Sequence, residues 1–234
     1  MKPTVESYDQ LQKAYDFFNR ELFGSKLSNC LITLQREKRA YGYFSPDRFQ
    51  RKDGVKTDEI VMNPIYFGVR PLTETFNTLV HEMCHLWQEH FGKPGRGRYH
   101  NREWAKKMLE VGLTPSSTGA PGGAQTGDHV SGFPTEGGRF LEVCRKFLVH
   151  QPNIAWYDRY VPTGVIGQGG EEGGSGEEGE EGEEGEGLPP GLVPVGKKSN
   201  RSKYTCGCGI NVWGKPRLNV FCGECGAQFE ENQT

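Results

Sequence analysis

The 234-residue chain predicts an α+β fold, helices packed on a small, largely antiparallel sheet, followed by a separate and much smaller module stapled by a metal. Three observations point there. Apolar residues recur at three- and four-residue spacing in several long stretches, short β-like runs lie between the first two of these, and four cysteines crowd near the C-terminus behind a segment with nothing to bury.

From Tyr8 to Leu22 the apolar positions Leu11, Tyr15, Phe18 and Leu22 read as one face of an amphipathic helix, closed by Gly24. The runs Cys30 to Leu34, Tyr41 to Phe44 and Glu59 to Met62 read as strands separated by charged or Gly-containing turns. A second helix is predicted from Leu72 to Phe91, stopped by Gly92 and Pro94, and a third from Asn101 to Val111 with Trp104, Met108 and Val111 as its buried stripe. Gly112 to Gly127 reads as a loop. A last amphipathic segment around Phe140, Val143, Cys144 and Phe147 and an aromatic patch of Trp156, Tyr157 and Tyr160 complete a first domain over residues 1–163.

Gly167 to Gly187 is almost entirely Gly and Glu, so residues 164–196 are expected to be a disordered, self-repelling tether, and 197–234 a separate module. That stretch holds nine of the 30 acidic residues, which leaves 28 basic against 21 acidic elsewhere, a net +7. Basic surfaces attract phosphate or acidic partners. The cysteines, seven in number, fit metal binding in a reducing compartment better than a disulfide framework. Met1 to Tyr8 lacks an apolar core of signal-peptide length and no apolar run spans a bilayer, so a cytoplasmic location, nucleoid-associated included, and no membrane partner are expected.

The chemistry concentrates on the second helix. His81-Glu82-Met83-Cys84-His85 sets two imidazoles one turn apart on one face, within reach of a single ion, with Glu82 about 100° round from His81. Leu72, Phe76, Leu79, Val80, Met83, Leu86 and Trp87 supply an apolar face on the other side of the wheel. Catalytic zinc takes three protein ligands and keeps a position open for water, so a third ligand is required. Gln88 and Phe91 stand where a metzincin has its Gly and third His, which leaves His100 and, as an alternative, Glu103. Glu82, beside the metal without ligating it, has the position of a general base. His90, His129 and His150 lack ligand spacing, and Cys84 and Cys144 fall at core positions.

At these residues the chain resembles the SprT-like family of zinc metallopeptidases, whose members include a DNA-dependent protease acting on proteins crosslinked to DNA. Phe18-Asn19-Arg20-Glu21-Leu22-Phe23 resembles the family's first helix, Gly42-Tyr43-Phe44 its first strands and Thr78 to His85 its active-site helix. His100-Asn101-Arg102-Glu103-Trp104 resembles its His-Gly-x-x-Phe/Trp segment, with Asn101 at the Gly. The resemblance implies a minimal zincin-like domain and His100 as third ligand, and it runs from Leu11 to Gly112 and returns in the tail.

Cys206-x-Cys208 and Cys222-x-x-Cys225, each followed by Gly, form the two knuckles of a closed structural zinc site, a zinc ribbon. Two zinc ions are therefore expected, one catalytic and one structural. Lys197, Lys198, Arg201, Lys203, Lys215 and Arg217 with Tyr204, Trp213 and Phe221 offer cations and rings to a nucleic acid, single- or double-stranded DNA. Lys93, Arg96, Arg98 and Arg102 make a second basic patch among the predicted ligands.

The expected function is a zinc endopeptidase acting on protein or peptide, recruited to DNA-bound or DNA-crosslinked substrates. The alternative is a DNA-binding zinc adaptor without protease activity. A further variant has the acidic spacer occupy the basic cleft until nucleic acid displaces it. Tyr41, Tyr43, Tyr99 and Arg102 are candidates for oxyanion stabilisation.

Overall fold

The computed structural model describes residues 2–37, 40–97, 99–150, 153–162, 193–195 and 202–232. Of the expected tether, 164–196, residues 193–195 are described and belong to a short strand; the rest of it, with the occupant of the cleft it was to supply, and Arg98, Lys197, Lys198 and Arg201 lie outside the described residues. The chain divides into two compact units, Met1–Pro194 and Val195–Thr234.

In the first unit α1 spans Pro3–Phe23, longer than the apolar spacing predicts. Its extra turn contributes little apolar surface; Pro3, whose fixed φ suits a first helical position, and the acidic Glu6 carry it. Gly24 ends the helix at φ 64°, a left-handed conformation that glycine adopts without strain. Strands β1 (Leu31–Leu34), β2 (Gly42–Gln50) and β3 (Lys56–Met62) form a sheet in the order β1-β3-β2. β2 and β3 are antiparallel, whereas β1 and β3 are parallel. β2 runs beyond the predicted Phe44 because its register shifts between Ser45 and Phe49. Pro46 and Asp47 interrupt the alternation there, and the Asp47 N–H goes instead to the Asp58 carboxylate, 2.8 Å away.

After a turn of 3₁₀ helix at Pro64–Tyr66 comes α2, Leu72–Phe91, the bounds its spacing predicts. α3 is Arg102–Val111 and α4 Arg139–His150. The segment read as a loop after Gly112 contains a strand, β4 (Leu113–Ser116), paired antiparallel with β5 (Ser131–Pro134). A four-residue strand containing Pro115 has almost no local signal and exists through its partner. β6 (Tyr160–Pro162) pairs with β7 (Val193–Val195).

The core lies between the sheet and the helices. Ile32, Ile60 and Met62 face it from the sheet, and Phe18, Phe76, Phe140 and Phe147 meet between α1, α2 and α4, with neighbouring ring centroids 5.2–6.0 Å apart. Cys84 and Cys144 are part of it, their thiols pushed up by burial. α2 is buried almost all round: beside Leu79, Val80 and Met83 it buries Asn77, Thr78, His81 and Glu82. Polar groups in so central a helix cost stability unless paired or put to use. No described helix is long and apolar enough to cross a membrane.

In the second unit β8 (Ser202–Thr205) pairs with both β9 (Asn211–Gly214) and β10 (Glu230–Asn232). Its core is Tyr204, Cys206, Cys222 and Phe229, flanked by Val212 and Val220.

Candidate metal centre

His81 and His85 project from successive turns of α2, and the loop after α2 brings back His100, one residue before the cap of α3. One ring nitrogen from each lies within 4.8 Å of the other two. The three rings converge on one indole: Trp104 stands 4.8, 5.1 and 4.4 Å, centroid to centroid, from His81, His85 and His100. His100 and Trp104 are an i, i+4 pair at the start of α3, so the helix itself sets the indole against the imidazole.

The loop carrying His100 is locked at both ends. The Asn101 side chain accepts the Glu103 and Trp104 N–H groups as the cap of α3 and donates to Lys93 O at 2.9 Å. Gln88 donates to Asn101 Oδ1 at 2.7 Å and to Glu103 Oε2 at 2.9 Å, and Lys93 N–H donates to the same carboxylate oxygen at 2.6 Å. These bonds, the Lys93 amide first, hold the Glu103 carboxyl below its usual range. Glu103 is thus tied to the loop, and the group of convergent nitrogens contains His100 in its place. His100 in turn exchanges backbone hydrogen bonds with Gly127, and its Nδ1 lies 3.1 Å from Gly127 O. A proton on Nδ1 donated to that carbonyl leaves Nε2 as the electron-pair donor.

All three imidazoles are held neutral. Burial drives His81 well below the ordinary histidine value, aided by His85 and His100; burial takes His85 down to about 3; burial again lowers His100. Neutral imidazoles that each bring one ring nitrogen within 4.8 Å of the others are compatible with a zinc ion, since only the unprotonated ring ligates. Glu82 is 3% exposed, and the helix sets it against the sheet: a Cβ added to Gly42 of β2 falls 3.6 Å from Glu82 Cγ, 3.0 Å from Thr78 Cγ2 and 2.6 Å from Val61 O. Gly42 therefore lets β2 and α2 approach to backbone distance.

A family model described as the SprT-like family matches residues 11–122, a span that holds α1, the sheet, α2, His100 and α3. A Salmonella typhimurium protein described as an uncharacterized protein in the mucB 3'region is 63% identical over 59 residues, 25% of this chain and 80% of the relative. The chain belongs to the SprT-like family. That family is associated with zincin-like metallopeptidases, and the α+β fold agrees with it.

The other residues singled out in this SprT-like chain lie at the surface or in separate networks. Arg96 and Arg102 are exposed. Tyr43 donates to Gln35 Oε1 at 2.8 Å, within a polar network on the sheet face away from α2 that includes the buried Glu59. Tyr99 is exposed, and Tyr41 lines a recess beside His81. His90 is engaged by the buried Asp58, Nε2 to Oδ2 2.6 Å, tying the end of α2 to β3. His129 and His150 are exposed.

The four ribbon sulfurs also lie within 4.8 Å of one another, with Cys206 to Cys225 at 3.3 Å and Cys208 to Cys222 at 3.7 Å. A tetrahedral zinc with bonds near 2.3 Å needs sulfurs about 3.8 Å apart, so this set is compatible with zinc. Gly209 at φ 92° and Gly226 at φ 70° turn the two knuckles, and the Cys225 and Glu224 amides lower the Cys222 thiol to about 7. Trp213 is 63% and Phe221 61% exposed, Lys215 and Arg217 are exposed, and the Lys203 ammonium lies 6.0 Å from the Trp213 ring.

Sequence reasoning missed the Trp104 platform, the Gly127 carbonyl and the Gln88–Asn101–Glu103 lock. The four-residue spacing of His100 and Trp104 was a usable signal for the first. Nothing local announces the second, which lies twenty-seven residues from the ring it orients.

Chelated protein is expected to lose stability on acidification from pH 7 to pH 5. Unfolded imidazoles titrate near 6.5 and take up protons that the buried ones refuse, so the unfolded state gains as pH falls through 6.5, and for His85 the loss continues towards about 3. Each such ring contributes up to about 1.4 kcal/mol per pH unit in that window. Urea titrations of the chelated chain and of His85→Gln check this: the variant should show the shallower pH dependence, and equal slopes contradict it.

Proposed function

We propose that the protein is a zinc-dependent endopeptidase in which His81, His85 and His100 hold the ion and Glu82 is the general base. The observation that carries this reading is the convergence of three neutral imidazoles with a buried carboxylate one helical position away. A zinc ion held there supplies Lewis acidity and lowers the pKa of a water towards neutrality. Glu82 takes a proton from the water that attacks the peptide carbonyl and returns it to the amine nitrogen as the C–N bond breaks. Trp104, Asn101 and the Gly127 carbonyl keep the rings fixed, so that little reorganisation accompanies the reaction.

The substrate lies extended along β2. Among the described strands β2 pairs only with β3, and Gly42 brings its backbone beside Glu82. Strand addition there satisfies the peptide backbone without regard to sequence. Zinc-loaded full chain incubated with a chemically unfolded protein tests the reading: new N-termini are expected, and their rate of appearance should fall by orders of magnitude in Glu82→Gln.

Recruitment to DNA is the second part of the proposal, with DNA-bound or DNA-crosslinked proteins as substrates. Its support is the ribbon surface, where exposed Trp213 and Phe221 accompany Lys203, Lys215 and Arg217, and the exposed Arg96 and Arg102 of the first unit. Rings stack on bases and cations neutralise phosphates. Affinity for single-stranded oligonucleotides should fall steeply with salt, and each phosphate contact removed by Ala at Arg96, Arg98, Arg102, Lys203, Lys215 or Arg217 should lower the logarithmic slope by about 0.7. A salt-independent affinity, or one indifferent to these changes, rejects recruitment and leaves the peptidase standing.

A further inference from the structure

The register of β2 fixes which of its backbone groups are open. The Asn63 N–H donates to Tyr41 O at 2.9 Å, which makes Tyr41 and Asn63 a hydrogen-bonded pair of the antiparallel ladder. Bonded and non-bonded pairs alternate, so Tyr43 and Ser45 also bond inward to β3, whereas Gly42, opposite Met62, and Phe44, opposite Ile60, do not. Gly42 and Phe44 turn their N–H and C=O groups the other way. In keeping with this, the Met62 carbonyl faces the side of β1 and accepts the Gln35 N–H at 3.1 Å. No described strand pairs with the outer side of β2, and both residues are partly exposed.

The edge is closed on either side of these two residues. The preceding outward position is Ala40, whose carbonyl already accepts Asn63 Nδ2 at 2.8 Å. The following one is Pro46, which has no N–H to give. Asp47 then adopts a left-handed conformation at φ 49°, the register shifts, and its N–H goes to Asp58 Oδ1 at 2.8 Å. His90 Nε2 lies 2.6 Å from the other oxygen of that carboxylate, so the end of the edge is pinned to the end of α2. What remains for a guest is four backbone groups, on Gly42 and Phe44, with Gly42 the one beside Glu82.

A strand laid on this edge meets those groups with N–H donors two residues apart, whichever direction it runs, and the residue between turns its N–H away. A polypeptide can do so only where these donors are not engaged in a helix or sheet of its own and neither residue is proline. We propose that Gly42 and Phe44 form a two-residue window that reads backbone and not side chains, so that the substrate class is unpaired chain, unfolded or frayed, with two free N–H groups two residues apart close to the scissile bond. The proposal rests on the peptidase reading above and names the part of the substrate that is recognised.

The test takes one peptide of about ten residues that the zinc-loaded full chain cuts at a single bond. Its backbone amides, the scissile one excepted, are replaced in turn by N-methyl amides and by esters; each removes one N–H, and the ester does so without added bulk. A loss in kcat/KM of about tenfold or more is expected at two positions two residues apart, because each replacement leaves an edge carbonyl without its donor, and the residue between them should lose far less. Phe44→Pro, which deletes an outward N–H and no bond of the ladder, should lower kcat/KM on the parent peptide to a similar degree with zinc retained; the peptide scan serves if this variant fails to fold. Any other pattern in the scan, such as no sensitive position, adjacent ones or three in alternation, overturns the window while the peptidase stands, and so does a folded Phe44→Pro as active as the parent. No cleavage by the parent chain removes both.

Discussion

Glu82→Gln is expected to reduce cleavage of an unfolded protein by about 10²–10⁴-fold, the range over which a positioned general base acts, with no loss of metal. Gln has the shape of Glu, so the close packing of this side chain against Gly42 and the sheet is preserved. The proposed metal donors are the three imidazoles, which the substitution leaves in place with the indole behind them. The lost function is proton acceptance: an amide cannot take the proton of an attacking water. Metal analysis together with the appearance of new N-termini distinguishes the outcomes. Undiminished cleavage in the variant excludes Glu82 as the base, and a zinc-loaded parent chain without cleavage favours the DNA-binding adaptor.

Cys222→Ser should cost the chain one of two zinc ions and unfold the second unit while the first keeps its structure. Among its described residues the ribbon buries little beyond Tyr204, Phe229, Cys206 and Cys222, a core too small to offset the entropy of ordering it. Coordination supplies the difference, apparent zinc-binding free energies in such modules being about 10–16 kcal/mol near neutral pH. Serine neither ionises at neutral pH nor matches sulfur in softness, and the backbone amides of Cys225 and Glu224 are set around a thiolate at this position. Metal content and limited proteolysis of the variant read the result. A full complement of zinc, or a ribbon as resistant to protease as in the parent, contradicts it.

Much of the centre was legible in the sequence because a helix turns linear spacing into geometry. Four residues between His81 and His85 mean one face and one turn, and Gly92 marks where α2 stops. The cysteine knuckles are legible for the same reason, since a tight turn brings each pair together within a few residues. The choice between His100 and Glu103 was not open to spacing alone. Both lie near the start of α3, and what separates them is that Gln88 and the Lys93 amide engage the carboxylate while the Gly127 carbonyl meets the imidazole. The parallel pairing of β1 with β3 and the strand at Leu113–Ser116 were equally hidden, because a strand of four residues has little preference of its own and takes its partner from the rest of the fold.

Residue order settles which side chains are available for metal and proton chemistry, and on which helix and knuckles they stand, because those relations follow from local backbone periodicity. Folding in three dimensions settles which of them meet, which carboxylate is given over to holding a loop, and what surrounds the recess beside His81. Those outcomes depend on packing between segments distant in the chain, where burial and hydrogen-bond pairing select one arrangement among many that local spacing allows.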